Sequence, residues 1–126
     1  MDVGARRNAT VPELLSALVA AKVPNACIRQ WMLDSGCGCD LVSAESIAKL
    51  RKFIRKARHA KIFATANGLT NADEEVSMFI PELNETVTAM ILESTPDLLS
   101  LGYRCAVLGY EFHWLARAKN PTLILP

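Results

Sequence analysis

Asn67-Gly68 stands between two β-compatible runs, and no other feature restricts the fold as tightly. A two-residue type I′ turn needs positive φ at both central positions, which Asn and Gly adopt at low cost, so the dipeptide predicts a hairpin. Ile62–Ala66 supplies the incoming strand and Glu75–Ile80 the return. Pro81–Glu85 then reads as a turn and Thr86–Leu92 as a further strand. After the break at Pro96, Leu98–Gly102 is a short apolar strand closed by glycine. A helical turn over Tyr103–Leu108 ends at Gly109. Tyr110–Trp114 is a strand, and Thr122–Leu125 a last one after Pro121. The chain is expected to be mainly β.

Upstream the texture differs. Thr10 before Val11-Pro12-Glu13 is a helix start, and Leu14, Leu15, Leu18 and Val19 recur at helical spacing to about Lys22, where Pro24 and Asn25 stop it. A strand over Cys27–Leu33 then delivers Asp34. From Ser43 to Arg58, Ile47, Leu50, Phe53, Ile54 and Ala57 share one face, with Lys49, Arg51, Lys52, Arg55, Lys56 and Arg58 opposite; this spacing predicts one long amphipathic helix. With 51% apolar and 21% charged residues in a 126-residue chain, a real core is expected. The division is an N-terminal extension with a short helix over 1–26 and a single domain over 27–126.

A carboxylate at the end of a strand is ordinarily a turn residue, bonding nearby backbone. At Asp34 the context adds Ser35, whose hydroxyl can donate, and Gly36, which permits close approach of another backbone. Asp34-Ser35-Gly36 after an apolar strand, the Asn67-Gly68 tip and Leu99-Ser100-Leu101-Gly102 occur in an order that resembles the retropepsins. These are the single-lobed aspartic proteases of retroviruses and retrotransposons, and the likeness is to the protease domain of copia-type retrotransposon polyproteins. Trp31–Gly36 and Pro96–Gly102 are similar to recurrent motifs there, and the resemblance covers roughly Gln30–Trp114.

The resemblance implies a retropepsin-like acid protease fold closed as a homodimer, because the chain holds one such triplet. Asp34 from each subunit would form the catalytic pair and activate water, with Ser35 and Gly36 supporting the loop. Asn67, Gly68 and Leu69 would form the flap that binds substrate main chain. Leu99, Leu101 and Gly102 would pack beneath the catalytic loop. No cofactor and no metal are implied. The substrate would be the chain's own polyprotein, and the setting cytoplasmic or inside a retroelement particle. The triplet here is followed by Cys37, Gly38 and Cys39, where the family has alanine and then Thr, Ser or Asp. Gly38 removes a side chain that commonly contacts substrate.

Other residues carry competing readings. Cys27, Cys37, Cys39 and Cys105 could make a four-thiolate zinc site, but structural zinc takes two closely spaced pairs and only Cys37 and Cys39 are one. Reduced thiols in a reducing compartment are the simpler expectation, with Cys105 buried as a small residue. His59 and His113 stand in no catalytic pattern. Trp31 and Trp114 read as core or interface aromatics. Lys49–Lys61 carries seven cations while Ile62–Tyr103 carries none, so the basic stretch is a solvated face or a contact for RNA. No apolar run reaches the roughly 20 residues of a membrane-crossing helix. A silent dimerisation domain and a small zinc- or RNA-binding module are the alternatives to a protease.

Overall fold

The computed structural model describes residues 23–126, so the helix expected after Thr10 lies outside the described residues. Eight strands dominate: β1 Met32–Asp34, β2 Leu41–Ser43, β3 Arg55–Thr65, β4 Gly68–Ile80, β5 Glu85–Leu92, β6 Leu98–Ser100, β7 Glu111–His113 and β8 Thr122–Ile124. The first six form one sheet in the order β1-β6-β2-β5-β4-β3, and β7 and β8 form a separate antiparallel pair. Two pairings in the large sheet are parallel, β1 with β6 and β2 with β5. Among the described residues, helical structure is confined to short turns, so the domain is a mixed fold dominated by strands.

The core follows from strand alternation. Successive side chains of a strand leave on opposite faces. In β2, Val42 joins one buried cluster and Leu41 the other. In β5, Val87 and Ala89 join the first, and Met90 and Leu92 the second. In β6, Leu99 and Leu98 divide the same way. The three central strands are therefore covered on both faces. The larger cluster is completed by Val76, Met78 and Ile80 at every second position of β4.

The long helix expected over Ser43–Arg58 does not form. Ser43 ends β2, a 3₁₀ segment occupies Ala48–Phe53 with non-helical φ/ψ at Leu50, and β3 has begun by Arg55. Local helical periodicity is overridden by two tertiary demands. Ser43 N–H and Ser46 Oγ both donate to the Asp97 carboxylate, at 3.1 and 2.7 Å, which anchors the start of the segment outside a helix. Further on, the β4 ladder claims the backbone from Arg55, and Arg55 and Lys56 pair with Glu75 and Asp73 at 2.8 Å. Ile47 and Leu50 still reach the core. The apolar set marked burial correctly and its geometry wrongly.

The hairpin is present but longer than expected, and its turn is shifted. Thr65 faces Gly68, so Ala66 and Asn67 are the loop residues. Gly68 has φ +106, so the one left-handed position falls where glycine removes the steric cost. Thr65 Oγ1 accepts from Asn67 N–H at 3.2 Å and donates to Gly68 O at 2.8 Å. Two other expected strands are shorter. The strand predicted over Cys27–Leu33 is Met32–Asp34 only, because the backbone just before it is drawn to β4: Ala26 N–H donates to Phe79 O and Phe79 N–H to Pro24 O. The strand predicted over Leu98–Gly102 stops at Ser100, whose side chain caps an α-helical turn, Leu101–Tyr103. That turn runs into a π-helical turn, Arg104–Leu108, ended by Gly109 at φ +85.

Met78 is fully buried in the larger cluster. Met78→Ala should cost about 2–5 kcal/mol in urea unfolding. Val107→Ala, at a position 63% exposed, should stay within about 0.5 kcal/mol.

Candidate active site

Asp34 ends β1 beside Ser100, which ends β6 in the parallel register. Its carboxylate folds back, and Oδ1 accepts the Gly36 N–H at 2.7 Å. This is an Asx-type turn, which aspartate favours. A Cβ on residue 36 would come within 3.3 Å of that oxygen, so Gly36 allows the close approach. No other hydrogen bond engages the Asp34 carboxylate among the described residues. Ser35 is exposed.

Asp34 lines a groove of about 510 Å³ whose opposite wall is Ile62–Thr65 at the end of β3. Met32, Leu41, Leu92 and Leu98 contribute the apolar floor, and Asp34 is its one carboxylate among the described residues. Beyond that wall lies the hairpin tip, with Asn67 and Gly68 exposed and Leu69 79% exposed. Leu99 is buried in the core, Leu101 is half-buried, and Gly102 is exposed with open space where a Cβ would sit. The groove therefore brings Asp34 and Gly36 together with the tip-side end of β3, while Asn67, Gly68 and Leu69 project beyond it.

Four residues not singled out in the sequence hold this loop in place. Arg104 is fully buried with all five N–H donors satisfied. Nη1 and Nη2 grip Asp40 at 2.7 and 3.0 Å, Nη2 and Nε grip Glu85 at 2.8 and 3.2 Å, and Nη1 also donates to Ser100 O at 3.1 Å. Tyr110 Oη donates to Glu85 at 2.6 Å. Asp40 Oδ1 accepts Ser100 N–H at 2.8 Å, and Ser100 Oγ donates to Cys37 O at 2.6 Å. Asp40, which follows the Asp34 turn, and Ser100, which pairs with Asp34, are thus bound to one guanidinium. The one sequence signal for this was Arg104 as the sole charge in Leu101–Leu108.

Burial opposes the Arg104 charge, but the hydrogen bonds and charges of Asp40 and Glu85 outweigh it and raise its pKa. Burial, then the Glu85 hydrogen bond and charge, pushes Tyr110 up to about 12. Burial also pushes the Cys39 thiol up to about 11, partly opposed by Lys61.

The remaining candidates are dispersed. Cys105 is exposed rather than buried, because the turn that carries it faces Arg104 inward. Cys27 donates to Ser46 O and Cys37 to Cys39 O. Among the described residues, no group of three or more His, Cys, Asp or Glu is arranged to hold a metal. His59 is exposed, and His113 lies 3.2 Å from Glu111. Trp31 packs on the core with its indole N–H buried and unpartnered. Trp114 is 63% exposed and donates to Ala118 O, so it is not a core residue. Of the basic stretch, Arg55 and Lys56 are spent on β4, while Lys49, Arg51, Lys52, Arg58 and Lys61 are exposed. No described helix is long and apolar enough to cross a membrane.

Comparison with family models, curated proteins and solved structures finds no match to the chain.

Arg104→Leu should cost about 3–5 kcal/mol at pH 7, since it strands the buried Asp40 carboxylate and leaves the half-buried Glu85 without its cation. At alkaline pH the folded protein retains protons that the unfolded chain has lost. Stability should therefore fall as pH rises, from about 9 to 11 for Cys39 and from about 10 to 12 for Tyr110. Tyr110→Phe should flatten the upper part of that decline in unfolding measured against pH.

Proposed function

We propose that this chain is one half of an aspartic endopeptidase, active as a homodimer on peptide bonds of a retroelement polyprotein. The observation that carries the reading is the placement of Asp34. Its carboxylate is tethered through one oxygen at the edge of an apolar groove, with the tip-side end of a long hairpin forming another wall. The ordered motifs Asp34-Ser35-Gly36, Asn67-Gly68 and Leu99–Gly102 add the retropepsin resemblance.

One carboxylate cannot serve as both acid and base toward a single water and carbonyl. A second copy would bring its own Asp34 alongside, and two adjacent carboxyls share one proton because both cannot ionise at close range. The ionised member takes a proton from the attacking water while the protonated member donates to the scissile carbonyl oxygen. The pair titrates as a unit. An extended peptide in the groove would meet the hairpin from above, where main-chain hydrogen bonds hold a substrate without regard to its side chains. The apolar floor suits aliphatic or aromatic side chains.

Cleavage of a peptide from the flanking polyprotein at mildly acidic pH should be blocked by a statine inhibitor and fall to background in Asp34→Asn. Sedimentation should show a dimer for both proteins. Dimers of wild type and Asp34→Asn that are equally inert would establish a silent dimerisation domain instead. Cleavage that survives in Asp34→Asn would place the chemistry elsewhere.

A further inference from the structure

We propose that Cys37 and Cys39 form a thiol modification site, closed to an intramolecular disulfide by a low-molecular-weight disulfide such as oxidised glutathione. The redox chemistry rests on the local geometry; its effect on cleavage rests on the protease reading.

The two cysteines are separated only by Gly38, and the local geometry favours closure between them. Cys37 Sγ lies 3.1 Å from the Cys39 carbonyl oxygen, so the first thiol is turned toward the second residue, and both cysteines pack against the smaller buried cluster. The chain bends at Gly38–Cys39. Gly38 is exposed, and a Cβ there would meet nothing within 4 Å, so the residue between the cysteines is free to turn as a bridge closes. Both cysteines are only half-buried. Cys37 opens on the Asp34 groove and Cys39 on an adjoining cavity of about 400 Å³.

The two positions differ chemically. Desolvation raises the Cys39 thiol, which disfavours it as the first nucleophile. Cys37 thiolate attacks one sulfur of glutathione disulfide, forming the Cys37–glutathione mixed disulfide and expelling one glutathione thiolate. Cys39 then loses its proton and attacks the Cys37 sulfur. The Cys37–Cys39 bond forms, the second glutathione leaves as thiolate, and the two protein thiols are oxidised as one glutathione disulfide is reduced.

The bridge would act on the catalytic loop at close range. Cys37 O is the acceptor for Ser100 Oγ, and Cys39 directly precedes Asp40, which holds Arg104. Drawing residues 37 and 39 together pulls on both anchors of the turn that presents Asp34. A displacement of about 1 Å in a reacting group costs on the order of 100-fold in rate.

The test is oxidation of the folded chain with glutathione disulfide, alkylation of remaining thiols, and mass analysis after trypsin. Gln30–Lys49 is a tryptic peptide that contains Cys37 and Cys39 and neither of the other cysteines. The expected product is this peptide lighter by two hydrogens and unalkylated, with recovery by dithiothreitol. Cys39→Ser should trap glutathione stably on Cys37, and Cys37→Ser should leave Cys39 free. Doubly alkylated peptide, mixed disulfides alone in the wild type, or bridges to Cys27 or Cys105 would overturn the proposal whatever the activity. A bridge that forms and reverses with no change in peptide cleavage by an active wild type would overturn its role at the site. A bridge in a protein that never cleaves peptide would refute the protease reading and retain the thiol chemistry.

Discussion

The buried guanidinium of Arg104 is the interaction on which the rest of the site depends. It joins Asp40 after the Asp34 turn, Glu85 at the start of β5 and the Ser100 carbonyl at the end of β6. A charge without solvent is tolerable only when every donor is used and opposite charge is close. Here two carboxylates share one cation, and Tyr110 donates to one of them. Two acids on one base would repel, so the tyrosine proton and the Ser100 N–H offset what a single guanidinium cannot.

Ser100 transmits that rigidity to Asp34. Its N–H binds Asp40, its hydroxyl binds Cys37 O and accepts from Tyr103 N–H, and its backbone lies beside Asp34 in the parallel ladder. A serine with no exposed surface is thereby linked to the Asp34 turn, the helical turn and the ion network. Among the described residues, the Asp34 carboxylate itself is engaged only by Gly36. The surroundings are held firmly while the second oxygen of the Asp34 carboxylate has no hydrogen-bond partner among the described residues.

Legibility varied with how local the determining interaction was. Gly109 ended its helical turn and β5, β7 and β8 fell close to their expected places, because turn residues and alternation act over a few neighbours. The hairpin was visible, but its turn moved by one residue once Gly68 took the single positive φ. Ser43–Arg58 failed because its helical period competed with a partner strand far along the chain and with Asp97, neither of which periodicity can sense. Cys105 was misplaced for a related reason: the neighbouring arginine, not the small apolar side chain, turned inward.

By itself, the sequence determined that the chain is strand-rich with a buried core, that a hairpin follows Lys61, and that Asp34-Ser35-Gly36 is a turn carrying an acid. Those are properties of short-range backbone preference and of alternating hydrophobicity. Tertiary pairing was needed to set β1 beside β6, to wall the groove at Asp34 with the tip-side end of that hairpin, and to bring Asp40, Glu85, Arg104 and Tyr110 together. Asp40 and Arg104 are 64 residues apart. An ion network across that separation exists only after the sheet has folded, so no local pattern could announce it.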